Sequence, residues 1–201
     1  AFLRPQTATA LSLVGAVLLL PEKVNFDLPI LPAFDKASAG ALGALFGCLW
    51  KCRPRLRAAR IGRGIDTLWI LALLAPFLTA RANLDVLVYG PRVMQGITTY
   101  DAISDGLRFA MTIAVPFVIA RAVFRTTADL VLLLRVIVIA GLCYSLLALL
   151  EMRVSPQLHN WFYGFHAHQF AQAMREGGFR PTIFMTHGLD VARFFLLAAV
   201  S

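Results

Sequence analysis

The chain has 201 residues and a formal net charge of +8; 59% of its residues are hydrophobic and 15% are charged. Ordinary globular chains are roughly 45–50% apolar and about 25% charged. This apolar surplus, with a mean hydropathy of +0.72, excludes a water-soluble domain and predicts a membrane protein with lipid as its solvent. The positive charge is typical of cytoplasmic loops, and no nucleic-acid-binding pattern accompanies it, so we expect no nucleic-acid partner.

Apolar segments along the chain predict an all-α fold, a polytopic transmembrane helical domain that occupies residues 1–201. Six segments are expected, near 5–20, 38–50, 65–80, 103–120, 130–150 and 189–201. A spanning helix needs about 20 residues, so the first two form either short spans or a shallow hairpin. Gly43 and Gly47 predict a close-packing helix face, and Pro116 predicts a kink in the fourth segment.

The distribution of cations predicts the orientation of these segments. Residues 51–64 hold six Lys or Arg side chains in one short connection, which places that connection in the cytoplasm. The same cations can also bind anionic lipid headgroups, although orientation is the simpler explanation. The N-terminus and 121–128 then fall inside, and the outer connections are 21–37, 81–102 and 151–188.

Cysteine and histidine spacing predicts no metal site, and we expect no cofactor. Cys48, Cys52 and Cys143 lack flanking zinc ligands, so we interpret them as packing residues. His166 and His168 are separated by two positions and do not share a helical face.

Both ends of the chain interrupt the pattern expected of a complete membrane protein. The chain begins without Met and ends within an apolar run. The first apolar run lacks the charged leader and the small-residue cleavage site of a signal peptide. We therefore expect this sequence to be a portion of a longer protein.

The outer segment 151–188 contains all four histidines of the chain. Ser155 and Pro156 predict a helix start, and Gly177 with Gly178 predicts a helix end. Apolar residues recur between them at nearly helical spacing. This pattern predicts one or two amphipathic helices in the outer membrane interface, with a break at Gly164.

Arginines in this outer segment oppose the charge bias and therefore suggest a local role. Arg180 follows two glycines and precedes a proline, and a guanidinium held this way suits a phosphate or diphosphate. Arg175 and Arg153 can add positive charge. The alternative is that these arginines reach lipid phosphates or pair with Glu176 and Glu151.

His187 lies at the start of the sixth apolar segment, near Arg180 in the sequence. It is a candidate for proton transfer. The alternative is a polar residue that marks the entry of a helix.

Three stretches of the chain resemble bacterial O-antigen ligase and O-antigen polymerase-like membrane proteins. They are LTARANLD at 78–85, EMRVSPQLH at 151–159 and REGGFRPTIFMTHGL at 175–189. In that family an Arg-Pro pair with a nearby aromatic residue and His precedes a span on the periplasmic side. Those places are filled here by Arg180, Pro181, Phe184 and His187.

The resemblance implies a glycosyltransferase of the bacterial inner membrane. Such enzymes move a glycan from undecaprenyl diphosphate to an acceptor hydroxyl, on lipid A-core in ligases and on another lipid-linked glycan in polymerases. They need no metal or nucleotide because the donor is already activated. By this resemblance Arg180 holds the diphosphate with help from Arg153 or Arg175, and the base is His187 or Glu176.

A second function remains open on the sequence. Members of the family have more spans than this chain, with further catalytic residues in the part that has no counterpart here. The alternative is a non-catalytic integral membrane subunit that packs against a larger membrane complex.

Overall fold

A computed structural model describes residues 3–26, 32–59, 64, 66–166, 173–175 and 177–201, apart from the side chains of Ile70 and Arg175. The described chain is mostly helical. Its α-helices are α1 (Pro5–Leu19), α2 (Lys36–Lys51), α3 (Arg53–Ala58), α4 (Asp66–Ala82), α5 (Thr99–Phe109), α6 (Val115–Val123), α7 (Thr127–Val154), α8 (Leu158–Tyr163) and α9 (Gly188–Val200).

The β structure is limited to two antiparallel hairpins in the described chain. One pairs β1 (Leu87–Tyr89) with β2 (Arg92–Met94) across a turn at Gly90 and Pro91. The other pairs β3 (Met174–Arg175) with β4 (Gly178–Phe179). Gly90 and Gly177 both have positive φ angles, which a glycine adopts without steric cost.

Two helical stretches are long and apolar enough to cross a membrane, Thr99–Val123 and Thr127–Val154. In an apolar 18-residue part of each stretch, only 22% and 11% respectively is buried inside the protein, unlike the core helix of a soluble domain. At 1.5 Å per residue, the 28 residues of α7 extend about 42 Å. The structure therefore supports a membrane-associated helical protein.

The prediction of six membrane-spanning segments is not supported. All six predicted segments contain helix, but only two helical stretches of the described chain are long and apolar enough to span a roughly 30 Å hydrocarbon core, which requires about 20 residues. Helices α1, α2 and α4 have 15, 16 and 17 residues.

A π-helical turn precedes Pro116 in the stretch Thr99–Val123, at the position where the sequence predicted a kink. Ala110–Ala114 is π-helical and lies directly between α5 and α6. Proline has no backbone N–H, so the preceding turn loses one hydrogen bond, and a widened turn accommodates that loss. The helix continues on both sides of the π turn.

Helix α1 lies at the centre of the described fold and packs against α2, α6 and α7. Gly40 is the close-contact residue on α2, since a Cβ built there would lie 2.5 Å from the Cβ of Ala16. The predicted close-packing pair Gly43 and Gly47 is exposed and has no heavy atom within 4 Å of such a Cβ. Within the described chain the close helix contact of α2 is therefore made by Gly40, and a packing role for Gly43 and Gly47 stays a prediction.

The packing role predicted for the cysteines is confirmed for two of the three. Cys48 and Cys52 are buried in one core cluster, together with Ala10, Ile119 and Val123. Cys143 is exposed on α7, so its predicted packing role was wrong.

The residues of the predicted connections gather at two opposite ends of the helices. The loop end is formed by Glu22, Lys36, the end of α7 and residues 180–188. The basic end is formed by α3, the start of α4, and Arg121 to Arg125. At the basic end Arg121 pairs with the buried Asp66, and Arg125 Nη2 donates to the carbonyl of Arg55 at 2.8 Å.

Of the one or two interfacial helices predicted between Ser155 and Gly177, the described residues contain α8 and the strand β3. Ser155 is the residue after α7, with φ of 98°, and α8 begins at Leu158 without a side-chain cap. Gly164 ends α8 in a left-handed conformation, which confirms the predicted break. Gly178 begins β4 rather than ending a helix, because the two glycines allow the chain to turn back.

Candidate anion-binding site

The connection between β4 and α9 is part of the protein core rather than a surface loop. Ile183, Phe184 and Met185 are each at most 4% exposed. They form one core cluster with Tyr144 of α7, Val191 of α9 and other apolar residues. This connection, Arg180 to His187, is called the anchored loop below.

Glu151, in the last turn of α7, anchors this loop. Its side chain is 1% exposed. Oε2 accepts hydrogen bonds from the backbone N–H groups of Thr182 and Ile183, both at 2.8 Å, and Oε1 accepts one from Leu158 at 3.2 Å. A buried carboxylate requires such donors, so Glu151 fixes the backbone of the anchored loop to the end of α7.

A second set of polar contacts joins the loop to α1 and α2. Lys36 pairs with Glu22, and its Nζ also donates to the carbonyl of Phe184 at 2.9 Å. The hydroxyl of Thr186 donates to Glu22 Oε1 at 2.8 Å. Lys36 and Glu22 thus both contact the anchored loop, and their ion pair links the start of α2 to that loop.

His159 is buried, 4% exposed, and connects three segments. Its Nδ1 lies 2.9 Å from the carbonyl of Phe165, and its Nε2 accepts from the backbone N–H of Glu22 at 3.2 Å. A carbonyl can only accept, so Nδ1 carries the hydrogen and the ring is in its neutral form. His159 is therefore a structural residue.

Tyrosine hydroxyls complete the loop-end contacts. The Tyr144 hydroxyl accepts from the backbone N–H of Phe184 at 3.2 Å. The Tyr163 hydroxyl donates to the carbonyl of Leu19. Burial raises the pKa of Tyr163, so its phenol stays protonated and able to donate at neutral pH.

Arg180 is positioned by the hairpin before it and the helix after it. Its backbone N–H donates to the carbonyl of Ala173 at 2.8 Å. Its side chain, half-buried, lies against Gly188: a Cβ built on that glycine would lie 2.5 Å from Nε and 2.6 Å from Cγ. Within the described chain, no carboxylate pairs with its guanidinium.

The guanidinium of Arg180 thus lies beside the N-terminus of α9. Unpaired backbone N–H groups and the helix dipole make such a terminus favourable for anions. Asp190 in the first turn is directed toward Arg193, with 3.4 Å between Oδ1 and Nη1. The two sources of positive potential, Arg180 and the helix terminus, therefore converge on one position.

His187 precedes α9 and is exposed, with no side-chain cap to the helix. The Arg180 side chain lies against Gly188, which is the residue that follows His187 in the sequence. Arg153 is exposed at the end of α7, and it does not pair with Glu151, which the backbone of the anchored loop occupies instead.

Two further predicted site residues, Arg175 and Glu176, lie wholly or partly outside the described structure. Arg175 is in β3, and its side chain is outside the described part of the protein; Glu176 and His168 lie outside the described residues altogether. Among the residues that the structure describes, no group of three or more His, Cys, Asp or Glu side chains could hold a metal ion.

The anchoring residues Glu22, Lys36, Glu151 and His159 were not predicted to act together. The sequence does contain a signal for Glu151, which is a carboxylate in the last turn of an apolar segment. Comparison with protein-family models, with curated proteins and with solved structures finds no match to this chain.

Proposed function

We propose that this protein acts as an O-antigen ligase- or polymerase-like glycosyltransferase in surface polysaccharide assembly. It would join a glycan carried on undecaprenyl diphosphate to an acceptor hydroxyl. The observation that carries the proposal is the position of Arg180, held against Gly188 at the N-terminus of α9 with no carboxylate partner in the described chain. The resemblance of residues 175–189 to that family agrees with this position.

The proposed reaction needs an anion site and a base. The acceptor oxygen attacks the anomeric carbon of the donor, and the bond from that carbon to the diphosphate oxygen breaks. The electron pair leaves with the diphosphate, whose charge Arg180 and the α9 terminus stabilise. The acceptor proton passes to a base, for which His187 or Glu176 is proposed.

The setting that we propose is the bacterial inner membrane, with several passes and a cytoplasmic N-terminus. The anchored loop would then face the periplasm, and the basic end would face the cytoplasm, in agreement with the excess of cations in residues 51–64. Arg153 and Arg175 would add positive charge near the same leaflet. The acceptor would be lipid A-core sugar or a second lipid-linked glycan.

Transfer of lipid-linked glycan by membranes that contain the protein tests this proposal. Arg180→Ala is expected to abolish transfer while the protein still inserts and keeps its normal amount. The matched control is Arg92→Ala, which removes an exposed arginine from the other hairpin. Normal transfer by Arg180→Ala would contradict the proposal.

A non-catalytic membrane subunit is the second candidate function. Helix α4 favours it, because this short helix leaves one apolar stripe exposed: Leu68, Leu71, Leu74 and Leu78. In that case the protein would co-purify with a larger membrane assembly, and Arg180→Ala would leave the assembly and its activity unchanged.

A further inference from the structure

A groove runs along the surface between the first half of α1 and the second half of α2. Its volume is about 710 Å³, within the range that small-molecule sites occupy. The groove is lined mainly by apolar and small residues, including Pro5, Ala8, Gly43, Ala44 and Gly47. The two glycines keep it open, because neither has a heavy atom within 4 Å of the position that a Cβ would take.

Cations surround one end of this groove. Lys51 lines it, and α3 begins just beyond, where Arg53 and Arg57 are exposed. Arg4 is exposed next to Pro5 on the α1 side. The groove therefore combines an apolar channel along the helices with concentrated positive charge at the basic end.

We propose that this groove binds an anionic phospholipid of the surrounding bilayer. An acyl chain would lie beside Gly43 and Gly47, and the phosphate would lie among Lys51, Arg53 and Arg57. Basic pockets at the ends of membrane helices bind anionic headgroups in this way. Charge favours this occupant over a helix from a second copy, since the same cations on that copy would repel those at the groove end.

The proposal does not depend on the glycosyltransferase reaction, because the groove is at the basic end and Arg180 is at the loop end. It gives a defined place in the fold to the lipid binding that the cations of residues 51–64 indicate, beside their predicted role in orientation. A lipid held between α1 and α2 would also stabilise the contact between these two short helices.

Native mass spectrometry of the detergent-solubilised protein can test the proposal by titration with lipids. Phosphatidylglycerol is compared with phosphatidylcholine of the same acyl chains. We expect phosphatidylglycerol to bind more tightly to the monomer. The substitution Arg53→Gln removes one cation and is expected to weaken the binding of phosphatidylglycerol about fivefold. Adding Arg57→Gln is expected to weaken this binding further.

Filling the groove separates a specific site from general attraction to charge. Gly43→Leu with Gly47→Leu leaves every cation in place and is expected to abolish the tight binding of phosphatidylglycerol. Ala75→Leu, on the exposed surface of α4, and Arg92→Gln are the matched controls and should bind as the unmodified protein does.

Three results would overturn the proposal. Equal affinity for the two lipids would remove the role of charge, and unchanged affinity in the filled variant would remove the role of the groove. A dimer in the unmodified protein that the filled variant lacks would identify a second copy as the occupant. Circular dichroism shows whether the variant Gly43→Leu with Gly47→Leu is folded. If that variant does not fold, the Arg53 and Arg57 variants still test the proposal, because they change only exposed side chains.

Discussion

At the scale of single residues, Glu151 has the largest structural effect on the candidate site. Its carboxylate is buried and accepts three backbone N–H groups, two of them from the anchored loop. Hydrogen bonds to a charged group contribute about 1.5–3 kcal/mol each, and a buried donor left without an acceptor costs about 1–3 kcal/mol. Glu151 therefore determines where the loop that carries Arg180 lies.

Replacing Glu151 should destabilise the protein more than any exposed substitution. Glu151→Ala leaves three buried donors without an acceptor, and we expect the free energy of unfolding to fall by at least about 3 kcal/mol. Glu151→Gln keeps one oxygen acceptor and should cost less. Denaturant unfolding of the solubilised protein, followed by circular dichroism, measures both changes.

The control for this measurement is Asp105→Ala, which removes an exposed carboxylate from α5. Its effect should remain within about 0.5 kcal/mol, as is usual for surface positions. Equal stability of Glu151→Ala and Asp105→Ala would show that the carboxylate does not anchor the loop.

Single residues also show what the sequence could and could not predict. Arg180 stood out because it opposes the charge bias of an outer connection. The partners of Glu151 and His159 could not be predicted, because they are backbone groups up to 137 positions away. Local spacing contains no information about which distant N–H group a side chain will meet.

At the scale of elements, the junction between the anchored loop and α9 determines the geometry of the candidate site. Gly188 begins α9 and lacks a side chain, so the Arg180 side chain can lie directly against its backbone. The guanidinium is brought close to the helix terminus by this contact. A side chain at position 188 would occupy the same space.

Gly188→Ala is therefore expected to displace Arg180 without unfolding the protein. The new Cβ would lie 2.5 Å from Nε, but the arginine side chain is flexible and can move away. Binding of a lipid diphosphate should weaken, while the free energy of unfolding changes by less than about 1 kcal/mol. Gly15→Ala is the control, since no heavy atom lies within 4 Å of its Cβ position.

Unchanged diphosphate binding by Gly188→Ala would mean that the contact between Arg180 and Gly188 has no role in the site. A large loss of stability would mean instead that the arginine cannot move aside. The two measurements together separate these outcomes.

Elements were predicted more successfully where one physical pattern determined them. Apolar segments near 103–120 and 130–150 predicted the positions of the two long helical stretches, Thr99–Val123 and Thr127–Val154. The pair Gly177 and Gly178 was ambiguous, since glycines end helices and also form hairpin turns. The structure shows the hairpin, and sequence spacing alone could not distinguish the two.

At the scale of the whole molecule, the described helices alternate between the loop end and the basic end. Glu22, Lys36 and Thr186 meet at one end, whereas Asp66 and Arg121 meet at the other. The sequence predicted that the connection 21–37 lies at the same end as 151–188, whereas the membrane passes between the ends stay a prediction. The sequence predicted too many membrane spans, because apolar composition does not determine where a helix begins and ends. Helices α1, α2 and α4 are shorter than a span requires.

We propose that Arg180 and the N-terminus of α9 form a site for the diphosphate of a lipid-linked donor. Its most direct test is the affinity of the protein in lipid nanodiscs for undecaprenyl diphosphate, compared between the unmodified protein, Arg180→Ala and the control Arg92→Ala. Loss of a charge-assisted contact should weaken binding by Arg180→Ala about tenfold or more, with the control unchanged. Equal affinity of all three proteins would contradict the claim.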